Sequence, residues 1–270
     1  MDGLVLLRLQ IEWGADEALS DEPVNRLRPI APAPPVPAPR PTIPAPPAAR
    51  SPRHGEVRSA ALAATPSGTG VERAAAVAAG AESLAALHAA LARFEGCGLR
   101  DTATNLVFWE GDPAGRVLLI GEPPGAEEDR SGHPFAGPEG LLLDKMLGSI
   151  GLKRSGLLLA HLVPWRPPGG RPPHASELAV CMQFLLRLVE LAAPRHIVLF
   201  GTLTARTLLA ARRSGKGWCE LAGPWGSIPA ITLPGLGTLL KTPPRRKEAW
   251  AGLRQLRRAL DGTVPSVNCK

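Results

Sequence analysis

Four short apolar runs punctuate the chain beyond residue 97: 117–121 (VLLIG), 157–163 (LLLAHLV), 197–200 (IVLF) and 228–233 (IPAITL). Each is too short for a helix and rich in branched side chains, so each reads as a strand buried on both faces. Between them lie stretches of helical spacing. Residues 139–150 place Leu141, Leu142, Met146, Leu147 and Ile150 on one side, with Pro138 before them and Gly151 after. Residues 176–191 do the same with Leu178, Cys181, Met182, Leu185, Leu188 and Val189. A further helix follows Gly201 to about residue 211, and 246–260 carries Ala249, Trp250, Leu253, Leu256 and Leu260 inward. Strands alternating with helices specify an α/β fold: three layers, α/β/α, around a central four-stranded parallel sheet. In such sheets ligands bind at the carboxyl ends of the strands. That selects the loops after residues 121, 163, 201 and 233.

The N-terminal part is of another kind. Residues 1–20 are expected to form a short amphipathic helix, with Leu4, Leu6, Leu7, Leu9, Ile11 and Trp13 as its apolar groups. Residues 21–71 read as a proline-rich linker, since 12 of the 30 prolines fall in 21–53. Proline lacks an N–H and clashes with the preceding turn, so this arm is expected to be extended. An alanine-rich helix is expected over 72–94. The domain then runs over 72–262, with its core from about 94, and 263–270 is a tail. The fold thus carries an N-terminal helical and proline-rich extension.

Several classes are disfavoured. The four cysteines, at 97, 181, 219 and 269, form no CxxC or CxxH, which argues against a zinc ribbon. No run of 18 apolar residues exists, so no membrane is expected as a partner. The N-terminus shows neither a basic leader nor a small-residue cleavage site, and a cytoplasmic, nucleoid-associated location is expected. A net charge of +7 and a pI near 9.8 favour a polyanionic partner. With no tyrosine and 4% aromatics, that partner is not gripped by a row of stacking platforms.

The loop after the first strand, GEPPGAEEDRSGHPFAG at 121–137, holds the densest chemistry. It lacks GxGxxG and GK[ST], so it is neither a dinucleotide nor a phosphate loop. Glu122, Glu127, Glu128 and Asp129 lie close together, two prolines stiffen the turn, and Gly121 and Gly125 let backbone approach a ligand. Phe135 offers a face on which a flat ring can stack.

These residues carry a resemblance. The segment GEPPGAEEDRSGHPFAGPEGLLLDKMLGSIGL is similar to the first signature of the family 4 uracil-DNA glycosylases, and WRPPGGRPP at 165–173 resembles their second. With the PRHIVLFG strand, the similarity spans roughly 94–260. It implies a hydrolase that releases uracil from DNA in base-excision repair, with DNA as partner, acting as a monomer. It implies that Glu122 or Glu128 orients the water, that Asp129 holds the loop, and that Phe135 stacks on the flipped base. It also marks departures. His161 stands where the family has a base-reading asparagine, and Leu233 where it has a histidine. Gly125 leaves open a wall that related enzymes close. From these we expect that other deaminated bases, such as hypoxanthine or xanthine, are also substrates. The backbone amides of 121–125 are expected to serve as donors to the leaving base. Leu236, with Leu239 second, is expected to wedge into the duplex, and Lys241, Arg245, Arg246 and Lys247 to meet phosphates.

Of the four cysteines that the family uses for an iron–sulfur cluster, only Cys97 and Cys181 match; Phe94 and Trp165 take the other places. Neither a cluster nor any other metal or cofactor is therefore expected. The alternative reading is a catalytically degenerate glycosylase fold that binds DNA or a partner. The proline-rich arm, within residues 1–50, is expected to recruit a protein.

Overall fold

The computed structural model describes residues 67–209 and 217–262. The expected helix in 1–20, the proline-rich linker to residue 66, the end of the helix near 211 and the 263–270 tail lie outside these residues.

The four apolar runs form the parallel strands expected of them: β2 (Val117–Gly121), β3 (Leu158–His161), β4 (His196–Phe200) and β6 (Gly226–Leu233). Two short strands absent from the sequence reading complete the sheet: β1 (Trp109–Gly111) and β5 (Trp218–Gly223). The order is β1-β3-β2-β4-β6-β5, and both added strands pair antiparallel at the edges. The central sheet is thus six-stranded and mixed around a four-stranded parallel core.

Side chains alternate across β2, and each face meets its own apolar layer. Leu118 and Ile120 join one cluster, Val117 and Leu119 the other. The first face is covered by α1 (Ser67–Ala79), α2 (Leu84–Arg93), α5 (Ala175–Ala192) and α6 (Thr202–Leu208). The second is covered by α4 (Gly137–Gly148), α7 (Leu236–Lys241) and α8 (Arg246–Leu260). A further helix, α3 (Ala126–Ser131), lies within the loop after β2.

Three expectations need correction. The alanine-rich stretch is two helices, because Ser83 caps α2 by accepting from the Ala86 amide at 3.1 Å, while Arg187 donates to the Ala81 carbonyl. The core begins before residue 94, since Ala74, Ala78, Leu87 and Leu91 are buried in the first cluster. Leu141 and Trp250 are exposed by 66% and 42%. Gly140, Leu143 and Leu147 form the buried stripe of α4, and Leu141 lies two residues from Leu143, on the far side of the helix.

The parallel strands all end on one edge. Chain connections leave central β2 towards β3 and then cross to β4, making a topological switch there. Gly121, His161, Phe200 and Leu233 end the four strands at that edge.

Phe184 on α5 is fully buried, edge-on to Phe94 with ring centres 5.1 Å apart. Phe184→Ala is expected to cost about 3–5 kcal/mol in urea denaturation. A loss below about 1 kcal/mol would show that the helical layer does not pack as one unit.

Candidate active site

A cavity of about 110 Å³ opens at this edge, lined by Glu122, Gly125, Glu128, Phe135, Glu139 and His161, with Gly121, Pro123, Phe200 and residues 235–237 completing it. It is on the order of the ~150 Å³ space that admits a benzene ring.

Glu128 organises the loop. It stands in the first turn of α3 and is 5% exposed. Its Oε2 accepts from the Gly125 amide at 2.6 Å, and its Oε1 from the Phe135 amide at 2.8 Å. The same Oε1 lies 2.9 Å from His161 Nε2. Burial pushes the Glu128 carboxyl up, but the His161 charge and hydrogen bond and the two amides outweigh it, leaving the group below the ordinary glutamate value. His161 Nδ1 donates to the Glu122 carbonyl, which can only accept. Nε2 lies 2.9 Å from Glu128 Oε1 and 3.4 Å from the Phe135 amide nitrogen. Both nitrogens are thereby engaged with protein, and the imidazole stacks on the Phe135 ring with centres 4.8 Å apart. His161 lines the cavity as expected, but both ring nitrogens already have protein partners, which does not favour the base-reading role expected from the sequence.

Phe135 is held in a strained backbone. Its φ is +53°, rare for a residue with a side chain. Its amide is fixed by Glu128, and Arg154 Nη2 donates to its carbonyl at 2.8 Å. The close packing also needs Gly121, where a Cβ would lie 2.9 Å from both the His161 and the Phe135 rings.

Glu122 is different. It follows β2 directly and enters a niche between Gly201 and Gly235, where Cβ atoms would come within 2.1 Å and 2.3 Å of its carboxyl group. Burial raises its proton affinity above the ordinary glutamate value, and the Leu203 amide only partly offsets this. A carboxylate so placed in a cavity wall is suited to hold a water molecule or a proton.

The remaining expected residues sort clearly. Asp129 lies outside the cavity: it accepts from the Thr104 amide and hydroxyl at 2.8 and 3.1 Å and from the Asn105 amide at 3.3 Å, tying α3 to the segment before β1. Leu233 is not in the wall; it packs towards α8, where a Cβ on Gly252 would lie 2.2 Å from it. Leu236 and Leu239 are 3% and 0% exposed. Leu236 lines the cavity and Leu239 the core, so neither is presented as a wedge. Of the 121–125 amides, Pro123 and Pro124 have none and that of Gly125 is taken by Glu128. Lys241, Arg245, Arg246 and Lys247 are exposed; Arg245 pairs with Glu248 at 3.2 Å and Arg246 Nε donates to the Leu239 carbonyl. Glu139 was missed, although it stands in the first turn of the helix that follows Phe135.

The family's cluster does not fit these residues. Cys97 Sγ and Cys181 Sγ are buried and in direct contact with each other, 3.8 Å apart. Phe94 and Trp165 are 4% and 3% exposed, inside the same apolar cluster. Among the described residues no three His, Cys, Asp or Glu side chains converge on a metal position.

A sequence profile of the Uracil DNA glycosylase superfamily matches residues 108–261, which hold every cavity residue described above. The chain belongs to this superfamily. It is 34% identical over 132 residues to the type-4 uracil-DNA glycosylase of Pyrobaculum aerophilum, covering 48% of this chain and 67% of that one. Identity is 40% to the type-4 enzyme of Thermotoga maritima and 38% to that of Archaeoglobus fulgidus. These two matches cover 39% and 41% of this chain and 55% of either relative. The chain thus spans two thirds of the first relative and little more than half of the other two. In this glycosylase fold, as the cavity shows, the acidic loop is divided between a carboxylate that holds the loop and one that faces the open space.

Because folding lowers the Glu128 pKa, the stability it confers is complete above the unfolded value and is lost as pH falls through the folded one. Glu128→Gln is expected to lower stability at neutral pH by roughly 1–3 kcal/mol. The gap to wild type should close on acidification. Chemical denaturation at neutral and acidic pH measures it; a gap that is absent, or constant with pH, would contradict the assignment.

Proposed function

We propose that this chain is a monofunctional glycosylase that hydrolyses the N-glycosidic bond of uracil in DNA, in base-excision repair. The observation that carries the reading is the Glu122 carboxyl, held in the cavity wall with the Phe135 ring on the same cavity. Superfamily membership and the uracil-DNA glycosylase activity for which the type-4 relatives are named support it.

A base inside a duplex is out of reach, so the nucleotide is flipped and the base enters the cavity against Phe135. Ionised Glu122 orients a water towards C1′ and accepts its proton as the new C–O bond forms. The C1′–N1 bond breaks with its electron pair passing to the base. Positive charge that develops on the sugar is stabilised by the same carboxylate. Among the described residues no lysine lines the cavity, and we propose hydrolysis without a covalent imine, which leaves the strand intact. The cavity volume suits a single six-membered ring, and with His161 engaged elsewhere the case for hypoxanthine or xanthine loses its main support. Uracil is the proposed substrate.

The reaction needs no metal, and we propose that the protein carries no iron–sulfur cluster, on the Cys97–Cys181 contact and the apolar filling by Phe94 and Trp165. DNA is the proposed partner. Lys241 closes α7, the helix that opens with Leu236 and Gly237 of the cavity, and Lys247 lies in the first turn of α8; both are exposed and are proposed to neutralise phosphates. The recruiting role of the arm within residues 1–50, action as a monomer and a nucleoid-associated location stand as proposals. Among the described residues no helix is long and apolar enough to cross a membrane.

Single-turnover release of uracil from a duplex tests the assignment. Glu122→Gln is expected to slow it by about 10²–10⁴-fold. Equal rates in the variant and wild type would refute the role of Glu122. Replacing Lys241 and Lys247 together by Ala should reduce the slope of log affinity against log salt by about 2. An unchanged slope would remove both from the DNA face.

A further inference from the structure

One carboxyl group in the cavity neither holds the loop nor enters the proposed mechanism. Glu139 lies in the first turn of α4 and lines the cavity with Glu122, Glu128, Phe135 and His161. It reaches across to the start of α7, where the missing side chain of Gly237 makes room: a Cβ there would lie 2.9 Å from Glu139 Oε1. Of the four polar side chains on the wall, Glu128 and His161 are bound to each other and to backbone. Glu122 sits in its own niche between Gly201 and Gly235. Glu139 is the side chain left to meet the polar edge of a ring stacked in the cavity.

We propose that the carboxyl group of Glu139 reads the imide edge of the bound base. This rests on the glycosylase reading above and adds a specificity-determining residue to it. An imide edge presents an N–H beside a carbonyl oxygen. A neutral carboxylic acid presents a carbonyl beside an O–H, so the two match with a pair of hydrogen bonds. The ionised form can only accept, and its charge opposes the negative charge that grows on the base oxygen as C1′–N1 breaks. A neutral acid donates to that oxygen and stabilises it.

The surroundings favour the neutral form. Burial raises the proton affinity of Glu139 above the ordinary glutamate value, and the negative charges of Glu128 on α3 and Glu122 after β2 raise it further. His161 on β3 and Lys241 on α7 act in the opposite direction and are outweighed. The sign follows for pH. Base reading is complete below the raised Glu139 value and is lost as pH climbs through it. Glu122, which must be ionised to hold water, sets the acid limb of the rate. The alkaline loss of base reading is the part assigned to Glu139.

The test uses the full chain, wild type and the variants Glu139→Gln and Glu139→Ala, with thermal unfolding to show that each is folded. Affinity for a duplex carrying a non-cleavable 2′-fluoro-uracil nucleotide is read by anisotropy from about pH 5 to about pH 9, upward from near the ordinary glutamate value. Wild type is expected to lose affinity at least about 10-fold across that range. Glu139→Gln, which keeps a donor and an acceptor but does not titrate, should bind with little pH dependence. Glu139→Ala should be weaker than wild type at the acid end by about 10-fold. Alanine binding like wild type, or glutamine keeping the wild-type pH dependence, would overturn the proposal. So would wild type that does not prefer the uracil duplex. Cleavage is measured in parallel on a normal uracil duplex. Binding that depends on Glu139 without any cleavage would refute the hydrolytic reading and leave base reading standing.

Discussion

The hydrogen bonds that converge on the Glu128 carboxylate hold the cavity in shape. One oxygen takes the Gly125 amide; the other takes the Phe135 amide and faces His161 Nε2. These contacts bring together a helix start, a strained phenylalanine seven residues later and the end of a neighbouring strand. A buried carboxylate with fewer partners would leave an uncompensated charge. Here the charge is matched, and the cost of the left-handed Phe135 backbone is offset by bonds to both its amide and its carbonyl. With Glu128 engaged in this way, the wall carboxyls outside this network are Glu122 and Glu139.

Those two carboxyls owe their properties to absence rather than to contacts. Each occupies space that glycines leave: Gly201 and Gly235 around Glu122, Gly237 beside Glu139. With little to hydrogen-bond them, burial dominates, and both hold protons more firmly than a surface glutamate. Three glutamates on one wall thus span a range of acidities. Such a spread is what the proposed roles require: one carboxylate as a strut, one as a base and one as a reader of the substrate.

Much of this architecture was legible in the residues. The parallel strands declare themselves because both faces are buried and the runs are unbroken apolar. The loop from Gly121 to Phe135 was legible through its charge, its glycines and its family resemblance. The edge strands were not: Trp109–Gly111 is three residues long and half exposed, so it lacks both length and pattern. Strand-end direction was also lost. Leu233 shares parity with Ile231 and faces α8, whereas the sequence position alone suggested the cavity. His161 was read as a ligand contact because a histidine can offer one donor and one acceptor. Its partners, Glu122 and Glu128, are 39 and 33 residues away, and only the folded chain shows that both nitrogens are taken. Glu139 escaped notice because a first-turn glutamate is ordinary helix chemistry; its place in the cavity depends on Gly237, almost a hundred residues later.

The division of labour among the three carboxyls is most directly tested by titrating their side-chain carbons by NMR in the intact protein, with glutamate labelled at the carboxyl and each signal assigned by substitution. Glu128 should titrate below the ordinary glutamate value, and Glu122 and Glu139 above it. An inverted order, with Glu128 the last to lose its proton, would mean that it is no strut and would contradict this account.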